Sequence, residues 1–448
     1  MSLGAVTVDV LPHGSFPLPI GDAASSYVTD ILRLCEPRAN GTSQTFLVLL
    51  GGPLRLLHLI SSVNPAAGGP IEGIRQLSSI YLSAGVEVEI ASLDEPFSRF
   101  VQDFPLKVHA LGPAYLGAYC YAPGLVGWLR ENCTRYDCVI VNGLWQYHGF
   151  AAWLALRKTK TPYVVFTHGM LDPWFKRQYP LKHLKKWLYW PWGEYRSLRD
   201  AAAVLFTCEE EKLLAAQSFW LYRTNAIVVG YGTRRPTVDL EAVKERYLSE
   251  FPHLRNKRLL TFLGRIHPKK GCDLLIRAFA QTLSRDPDWH LVIVGPDQLG
   301  WQSEMVKLSQ TLGIQDRITW PGLLLDDRKW GALAAAEAFV LPSHQENFGI
   351  AVVEALACSK PVLITDKINI WREIEEESAG LVRADTLAGT IELLETWMQI
   401  GDSERSAIAR RALPCFNKHF DLETRSAAML DLLAELARAR RTQPSSTR

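Results

Sequence analysis

The chain has 448 residues, 48% hydrophobic and 21% charged, with 49 basic and 47 acidic side chains. This length exceeds one ordinary hydrophobic core and favours two α/β domains, and the composition excludes an intrinsically disordered chain. The formal net charge of only +2 argues against a general affinity for nucleic acid, so any anion site has to be local.

The eight cysteines are scattered without a C-x-x-C pair, which indicates a reducing compartment. The longest apolar stretch, TFLVLLGGPLRLLHLISSV from Thr45, contains Pro53 and Arg55 near its middle and is a poor candidate for a membrane span. It also lies far from Met1, without the basic leader of a signal peptide. The sequence therefore predicts a cytoplasmic protein.

Residues 1–50 show no sustained periodicity and are expected to form a poorly ordered leader, with one short helical candidate at residues 27–35. From Leu54 onward, strands and helices alternate. LRLLHLI and VEVEIASL read as strands on either side of a helix, and DCVIVNG and PYVVFTHG repeat the pattern. Residues 51–230 are therefore predicted to form an α/β domain whose parallel sheet is covered on both faces.

Glycines, a proline and a run of charges interrupt this rhythm at residues 231–257, which are predicted to be a linker. The strands RLLTFLGR, HLVIVGP, AEAFVLPS and PVLIT predict a second α/β domain over residues 258–415. Residues 416–440 are predicted to form a C-terminal helix that packs back toward the first domain. Residues 441–448 are predicted to be a disordered tail.

The second domain opens with GRIHPKKG, which leaves the carboxyl end of a predicted strand. Ligands of parallel sheets bind beyond that end, so Arg265 and Lys270 are expected to face one crevice. A guanidinium and an ammonium group together suit a diphosphate. A basic surface loop remains the alternative.

The stretch SHQENFGIAVVEALA carries two glutamates, Glu346 and Glu354, eight positions apart. The predicted helix that starts after Gly349 points its free amides into the same crevice, and Glu354 lies about 7.5 Å along its axis. The two carboxylates could therefore flank a diphosphate and bind hydroxyls of a sugar and of a ribose. In the alternative, Glu346 is a charge at the helix start and Glu354 an exposed helical residue.

These motifs, GRIHPKKG and LPSHQENFGIAVVEALACSKPVL, resemble the donor site of the retaining glycosyltransferases of family 4. The resemblance covers residues 54–436 and implies the GT-B fold, in which two Rossmann-like domains with parallel sheets face a central cleft. It implies a nucleotide-diphosphate sugar as co-substrate and no essential metal. Matched by position, Arg265 and Lys270 would bind the diphosphate, Glu346 the transferred sugar and Glu354 the ribose.

The same resemblance assigns sugar and phosphate oxygens to the backbone of Asn347, Phe348 and Gly349. Asn347 departs from the family pattern, which more often has a small Gly or Ser there, so the preferred sugar is left open.

The first domain carries two further matches. AAGGPIEG, with Gly68 and Gly69, is similar to the family's glycine loop near the donor phosphates. FTHGMLDPW places His168 just after a strand, where it resembles the family histidine that contacts the transferred sugar.

The sequence contains no Ser/His/Asp order and no metal-binding cluster, so charge on a departing diphosphate is the main catalytic problem. The resemblance implies retaining transfer of a hexosyl unit to a glycan or lipid-linked sugar, in exopolysaccharide, lipopolysaccharide or glycoconjugate biosynthesis. A nucleotide-sugar epimerase or hydrolase and a non-catalytic nucleotide-sugar-binding protein remain as alternatives. No G-x-G-x-x-G follows a strand, which disfavours a dinucleotide oxidoreductase.

Residues 175–196 interleave lysines with tryptophans. On a helix, Leu181, Leu184 and Leu188 share one side, and Lys182, Lys185 and Lys186 share another. Such a strip predicts either ordinary packing with a solvated basic side, which is the favoured interpretation, or peripheral contact with an anionic membrane at the inner face of the plasma membrane.

Overall fold

The computed structural model describes residues 52–442, and within them the strands form two sheets, of seven and six strands, in which all pairings are parallel. The first sheet has the order β3-β2-β1-β4-β5-β6-β7. Its strands are β1 (Arg55–Ile60), β2 (Glu87–Ser92), β3 (Lys107–Ala110), β4 (Cys138–Asn142), β5 (Tyr163–Phe166), β6 (Ala203–Phe206) and β7 (Ala226–Val228). The predicted leader and the predicted tail beyond residue 442 lie outside the described residues.

The second sheet has the order β10-β9-β8-β11-β12-β13. Its strands are β8 (Arg258–Leu263), β9 (Trp289–Val294), β10 (Ile318–Gly322), β11 (Ala338–Leu341), β12 (Val362–Thr365) and β13 (Gly380–Arg383).

Helices cover the faces of both sheets. In the first half they are α1 (Gly69–Ser83), α2 (Arg99–Gln102), α3 (Leu125–Asn132), α4 (Tyr147–Leu156), α5 (Trp174–Gln178), α6 (Pro180–Tyr189), α7 (Glu194–Arg199) and α8 (Glu209–Ala215). The later helices are α9 (Leu240–Glu250), α10 (Cys272–Gln281), α11 (Gln302–Thr311), α12 (Asp326–Ala335), α13 (Ile350–Ala357), α14 (Trp371–Glu376), α15 (Leu387–Gln399), α16 (Asp402–His419) and α17 (Leu422–Thr442).

The central strands are buried on both faces. Every residue of β4 (CVIVN), β6 (AVLF), β11 (AFVL) and β12 (VLIT) is buried. A continuous apolar strand of this kind is stable only between two layers of helices. The predicted class, α/β with two parallel sheets, is therefore confirmed.

Each sheet has one position where the strand order reverses, between β1 and β4 in the first sheet and between β8 and β11 in the second. At such a position the loops after the two neighbouring strands leave in opposite directions and open a crevice at the carboxyl edge. The segments that carry the predicted site residues follow β1, β5, β8 and β11.

The segment between the sheets is not simply extended. It contains α9, which packs along α12, with Arg246 paired to Asp327 at 2.8 Å and Gly331 against the backbone of Val243. The predicted C-terminal helix is divided: α16 ends at His419, and α17 begins at Leu422 and packs against α1.

The amphipathic helix α6 is oriented differently from the favoured expectation. Leu181, Leu184 and Leu188 are 78%, 54% and 62% exposed, whereas Lys186 is partly buried with its amine 4.3 Å from the ring centre of Trp145. The predicted packing of the leucine side is therefore wrong, because the leucines face outward, whereas Lys182 and Lys185 are exposed as predicted. Within residues 52–442, no helix has both the length and the apolar character needed to cross a bilayer.

The turn before α10 provides a matched test of backbone strain. Gly271 and Gly313 have the same left-handed φ, 69° and 68°, but a Cβ on Gly271 would collide with the carbonyl oxygen of Pro342, whereas one on Gly313 would meet nothing within 4 Å. Gly313→Ala should lower the free energy of unfolding by about 1 kcal/mol through the left-handed backbone alone. Gly271→Ala should cost about 1–3 kcal/mol more, because the turn has to shift. Urea unfolding followed by tryptophan fluorescence measures both, and equal losses would contradict the steric explanation.

Candidate active site

The predicted basic segment and the first predicted glutamate meet at the switch point of the second sheet. Lys270, after β8, forms an ion pair with Glu346, after the neighbouring strand β11, with 2.5 Å between Nζ and Oε1. Both side chains are largely buried, with 14% and 16% exposed. Two residues 76 positions apart in sequence are thus held together because β8 and β11 are adjacent.

Arg265 lies on the outer side of the same segment. It is exposed, and its Nη1 donates a hydrogen bond of 3.2 Å to Oε1 of Gln298, in the loop after β9. Burial, and then the positive charges of Arg265, Lys269 and Lys270, lower the pKa of His267. The segment is therefore a local cluster of positive charge on a protein of almost no net charge.

The loop that carries Glu346 is fixed to the loop after β12. The amide of Glu346 donates to the carbonyl of Lys367 at 2.9 Å, and its own carbonyl accepts from the amide of Asn369 at 3.0 Å. Gly349 then caps α13 with φ 69° and ψ 57°, a left-handed conformation that glycine adopts without steric cost. The first turn of α13 therefore presents amides close to Glu346.

Glu354 lies in the second turn of α13 and is only 8% exposed. Lys329 of α12 forms an ion pair with it, with 2.7 Å between Nζ and Oε1. A carboxylate buried among Val353, Ala355 and Leu356 requires such a partner. The alternative of an exposed helical Glu354 is therefore wrong, while its role toward a ribose stays a prediction.

The predicted glycine loop of the first domain has open space around it. Gly68 has φ 96°, and a Cβ on Gly68 or Gly69 would meet nothing within 4 Å. One turn further, Gly73 packs directly against the ring of Tyr231, which in turn meets the ring of Phe348 edge-on at 5.0 Å. This aromatic contact links the start of α1 to the loop of Glu346.

His168 follows β5 in a left-handed conformation, φ 48°, with its ring stacked on Phe166 at 4.3 Å. The carboxamide of Asn142 determines which ring nitrogen of His168 carries the proton. The nitrogen of that carboxamide lies 3.0 Å from the carbonyl of Ile140 and 3.2 Å from Nδ1 of His58, so it has to face these two acceptors. Its oxygen then accepts from Nε2–H of His168 at 3.3 Å.

Burial lowers the pKa of His168 to about 4, so its imidazole is neutral at pH 7. A neutral ring can form hydrogen bonds with a sugar hydroxyl, but it adds no positive charge next to a diphosphate. The predicted site residues with a positive charge, Arg265 and Lys270, therefore both belong to the second domain.

The loops of His168 and Glu346 approach each other across the two halves of the chain. The backbone of Gly169 leaves no room for a Cβ because the side chain of Asn347 lies there, 2.5 Å from the position that the Cβ would take. The amide of Asn347 also donates to the hydroxyl of Thr207 at 3.4 Å, and Gln345 donates to Asp172 at 2.8 Å. The side chain of Asn347, which departs from the family pattern, thus forms a contact between the two halves.

Glu211, a buried carboxylate that no sequence motif marks, organises this region. It accepts hydrogen bonds from the hydroxyl of Thr167 (2.7 Å), the amide of Gly169 (2.6 Å), and the amide and hydroxyl of Thr207 (2.7 and 2.6 Å). Four donors satisfy the buried charge and fix the backbone on both sides of His168. Only the run EEE at the start of α8 is visible in the sequence, and it reads as an ordinary charged helix start.

Three histidines around Asn142 should make the free energy of unfolding depend on pH. Burial lowers the pKa of His58 to about 3 and those of His148 and His168 to about 4, below the value near 6.5 of the unfolded chain. The unfolded state therefore binds more protons, and the free energy of unfolding should fall as the pH drops from about 6.5 to about 4. His168→Asn should reduce this slope in urea unfolding. Equal slopes in the wild type and His168→Asn would contradict a neutral, partly buried His168.

Two family models match the chain over the segments that contain these residues. "Glycosyl transferases group 1" matches residues 243–409, and "Glycosyl transferase 4-like domain" matches residues 68–232.

The D-inositol 3-phosphate glycosyltransferase of Rhodococcus erythropolis is 32% identical over 147 residues, which are 31% of this chain and 33% of that protein. The alpha-D-kanosaminyltransferase of Streptomyces kanamyceticus is 26% identical over 234 residues, 50% of this chain and 58% of that protein. The chain thus aligns with about a third to somewhat more than half of these relatives' lengths.

Among solved structures, Anabaena Alr3699/HepE in complex with UDP and glucose superposes with a TM-score of 0.65 at 19% identity, covering 85% of this chain and 99% of that one. This likeness confirms the GT-B fold of two Rossmann-like domains. With both sheets matching that fold and a family model on each half, the chain belongs to the group 1 glycosyl transferases, family 4.

Proposed function

We propose that the protein is a retaining glycosyltransferase that moves a hexosyl unit from a nucleotide-diphosphate sugar to a hydroxyl of a glycan or of a lipid-linked sugar. The observation that carries this proposal is the ion pair of Lys270 with Glu346 at the switch point of the second sheet, beside the loop of His168. It brings a cation, a carboxylate and helix amides to one crevice of a family 4 chain.

In the donor complex, Arg265 and Lys270 would bind the diphosphate together with amides at the start of α13. Glu346 would bind hydroxyls of the transferred sugar, and Glu354 those of the ribose. The glycine loop, Gly68 and Gly69, leaves space for the phosphates. HepE, which shares the fold, binds UDP and glucose, so UDP-glucose is the first donor to test.

Transfer breaks the bond between the sugar C1 and the diphosphate oxygen and forms a bond from the acceptor oxygen to C1. Negative charge grows on the leaving diphosphate, where Lys270, Arg265 and the helix amides would stabilise it. The acceptor proton would pass to an oxygen of the leaving phosphate on the same face, which gives retention. His168, being neutral, would orient the sugar.

The alternatives differ in their products. An epimerase or hydrolase of the same fold would convert UDP-glucose without any acceptor, and a non-catalytic protein would bind UDP in calorimetry without turnover. Mass spectrometry of products formed with and without an added saccharide acceptor separates the three. The biosynthesis of exopolysaccharide, lipopolysaccharide or another glycoconjugate is the setting we propose.

The outward-facing leucines of α6 support a further part of the proposal, peripheral contact with an anionic membrane through residues 175–196. No acidic residue occurs between Pro173 and Gly193, while five basic ones do: Lys176, Arg177, Lys182, Lys185 and Lys186. Exposed apolar side chains next to cations favour the interface of a bilayer that carries negative charge. Such contact would place the protein at the cytoplasmic face of the plasma membrane.

The two glutamates should affect different kinetic constants. Glu354→Ala removes a ligand of the nucleoside and should raise the KM for the donor about tenfold, the usual effect of losing a hydrogen bond to a charged group. Glu346→Ala removes contacts that strengthen in the transition state and should lower kcat by about 100-fold. Steady-state kinetics with UDP-glucose measures both, and Glu375→Ala, an exposed glutamate on α14, is the control. Unchanged constants in both variants would remove the site assignment.

Membrane contact can be tested with a matched pair of exposed leucines. Leu188 on α6 and Leu299 in the second domain are both 62% exposed. Leu188→Ser should reduce co-sedimentation with phosphatidylglycerol vesicles about threefold to tenfold, as expected for the partial loss of one leucine's burial. Leu299→Ser should have no effect, and added salt should weaken binding of the wild type. Failure of the wild type to sediment with anionic vesicles would overturn the membrane proposal.

A further inference from the structure

Three cavities follow one another along α5 and α6, from the surface to the space between the two halves. An outer groove of 680 Å³ is lined by Leu184, Trp187 and Trp220. A narrow neck of 60 Å³ comes next and shares His183, Ser218 and Phe219 with the groove. An inner cavity of 740 Å³ shares Asp172 and Tyr179 with the neck.

The chemical character of the lining changes along this series. The outer groove is apolar and open, with Leu184, Trp187 and Trp220 exposed by 54%, 43% and 66%. The rings of Trp187 and Trp220 lie 6.3 Å apart. Such an exposed apolar surface is unfavourable in water unless something covers it.

The neck carries an excess of positive charge, because Lys182 and Lys186 line it with one carboxylate, that of Asp172. The amine of Lys186 lies over the ring of Trp145, and that of Lys182 lies 4.9 Å from the ring centre of Tyr179. Within residues 52–442, neither lysine forms an ion pair with a carboxylate. Burial lowers the pKa of Lys186 to about 8, while the negative charge of Glu194 acts in the opposite direction. An anion in the neck would compensate the excess positive charge.

The inner cavity is lined by groups that form hydrogen bonds in both directions. The amides of Gln217 and Gln345 and the carboxylate of Asp172 line it beside the flat ring of Trp174. Its volume falls in the range of ordinary ligand sites. Amides, a carboxylate and an aromatic face suit the hydroxyls and apolar ring faces of a saccharide.

The inner cavity also adjoins the candidate donor site. Lys269 and Gln345 line it, and their chain neighbours, Lys270 and Glu346, form the ion pair of the donor site. A saccharide in this cavity would therefore lie next to the loops that hold the donor ion pair.

We propose that the three cavities together bind an amphiphilic acceptor: its apolar chain in the outer groove, a phosphate in the neck, and its saccharide in the inner cavity. This inference rests on the proposed function and specifies the class of acceptor, a saccharide joined to a lipid through a phosphate. A plain lipid would leave the lysines of the neck uncompensated, and a free sugar phosphate would leave the outer groove uncovered.

Farnesyl phosphate, at concentrations below micelle formation and without vesicles, is a suitable probe for calorimetry. Farnesol, which lacks the phosphate, and glucose 1-phosphate, which lacks the chain, should each bind at least about tenfold more weakly, since each loses one of the two contacts. If farnesol binds as tightly as farnesyl phosphate, the phosphate contributes nothing and the groove is a general apolar surface. If glucose 1-phosphate binds as tightly as farnesyl phosphate, the lipid chain has no role in binding. Either result overturns the proposal.

Two matched pairs of variants locate the probe. Lys182→Gln should weaken farnesyl phosphate about tenfold and leave farnesol unchanged, while Lys185→Gln, outside the cavities, should change neither. Trp220→Ala should weaken both probes, while Trp192→Ala should weaken neither, although the two tryptophans are 66% and 67% exposed. Equal effects within either pair would contradict the assignment. UDP binding, measured by calorimetry in the same proteins, tests the donor site separately. If the wild-type protein does not bind UDP, that result counts against the proposed function and not against the acceptor cavities.

Discussion

The ion pair of Lys270 with Glu346 is the interaction on which the arrangement of the candidate site depends. It ties the loop after β8 to the loop after β11, and both charges are mostly withdrawn from water. A buried pair of this kind contributes little net stability, because desolvation offsets most of the attraction. Under the proposed function, the ion pair would be exchanged for contacts with the donor. A diphosphate would compete with Glu346 for Lys270, and the released carboxylate could accept hydrogen bonds from sugar hydroxyls. Donor binding would thus convert one internal contact into two contacts with the ligand.

The parallel sheets explain why the polar residues collect where they do. Strands such as β4, β6, β11 and β12 are buried throughout, so the charged groups of the candidate site lie in the loops beyond the strand ends or on the helices that follow them. There each loop needs its own support, and Glu211 supplies it by accepting two hydrogen bonds from the neighbours of His168, Thr167 and Gly169, and two from Thr207. Asn347 extends that support to the second half of the chain through Thr207.

The alternation of strands and helices was predictable from the sequence, because buried parallel strands are short, apolar and separated by helical periods. The interval between Glu346 and Glu354 was also readable, since one loop and the helix that follows it directly carry both residues. Their partners were not: Lys329 and Lys270 are brought to them by α12 and β8, which are distant in sequence. The prediction of which side of α6 packs was wrong for a related reason. Amphipathicity defines two sides of a helix, but only the tertiary structure decides which one packs.

The distribution of charge also bears on where the acceptor proton goes. Glu354 is paired with a lysine, Glu211 accepts four hydrogen bonds, and Asp172 accepts one from Gln345, while Glu346, once released from Lys270, would bind sugar hydroxyls. The oxygens of these carboxylates are thus engaged in other contacts, and an acceptor hydroxyl would have to displace a partner to reach them. His168, whose burial keeps its pKa at about 4, is also a weak base at neutral pH. The oxygen of the leaving phosphate gains negative charge during transfer and lies on the face that the acceptor approaches in a retaining reaction. These residues therefore favour proton transfer to the departing diphosphate, which would become a better base as its bond to C1 breaks.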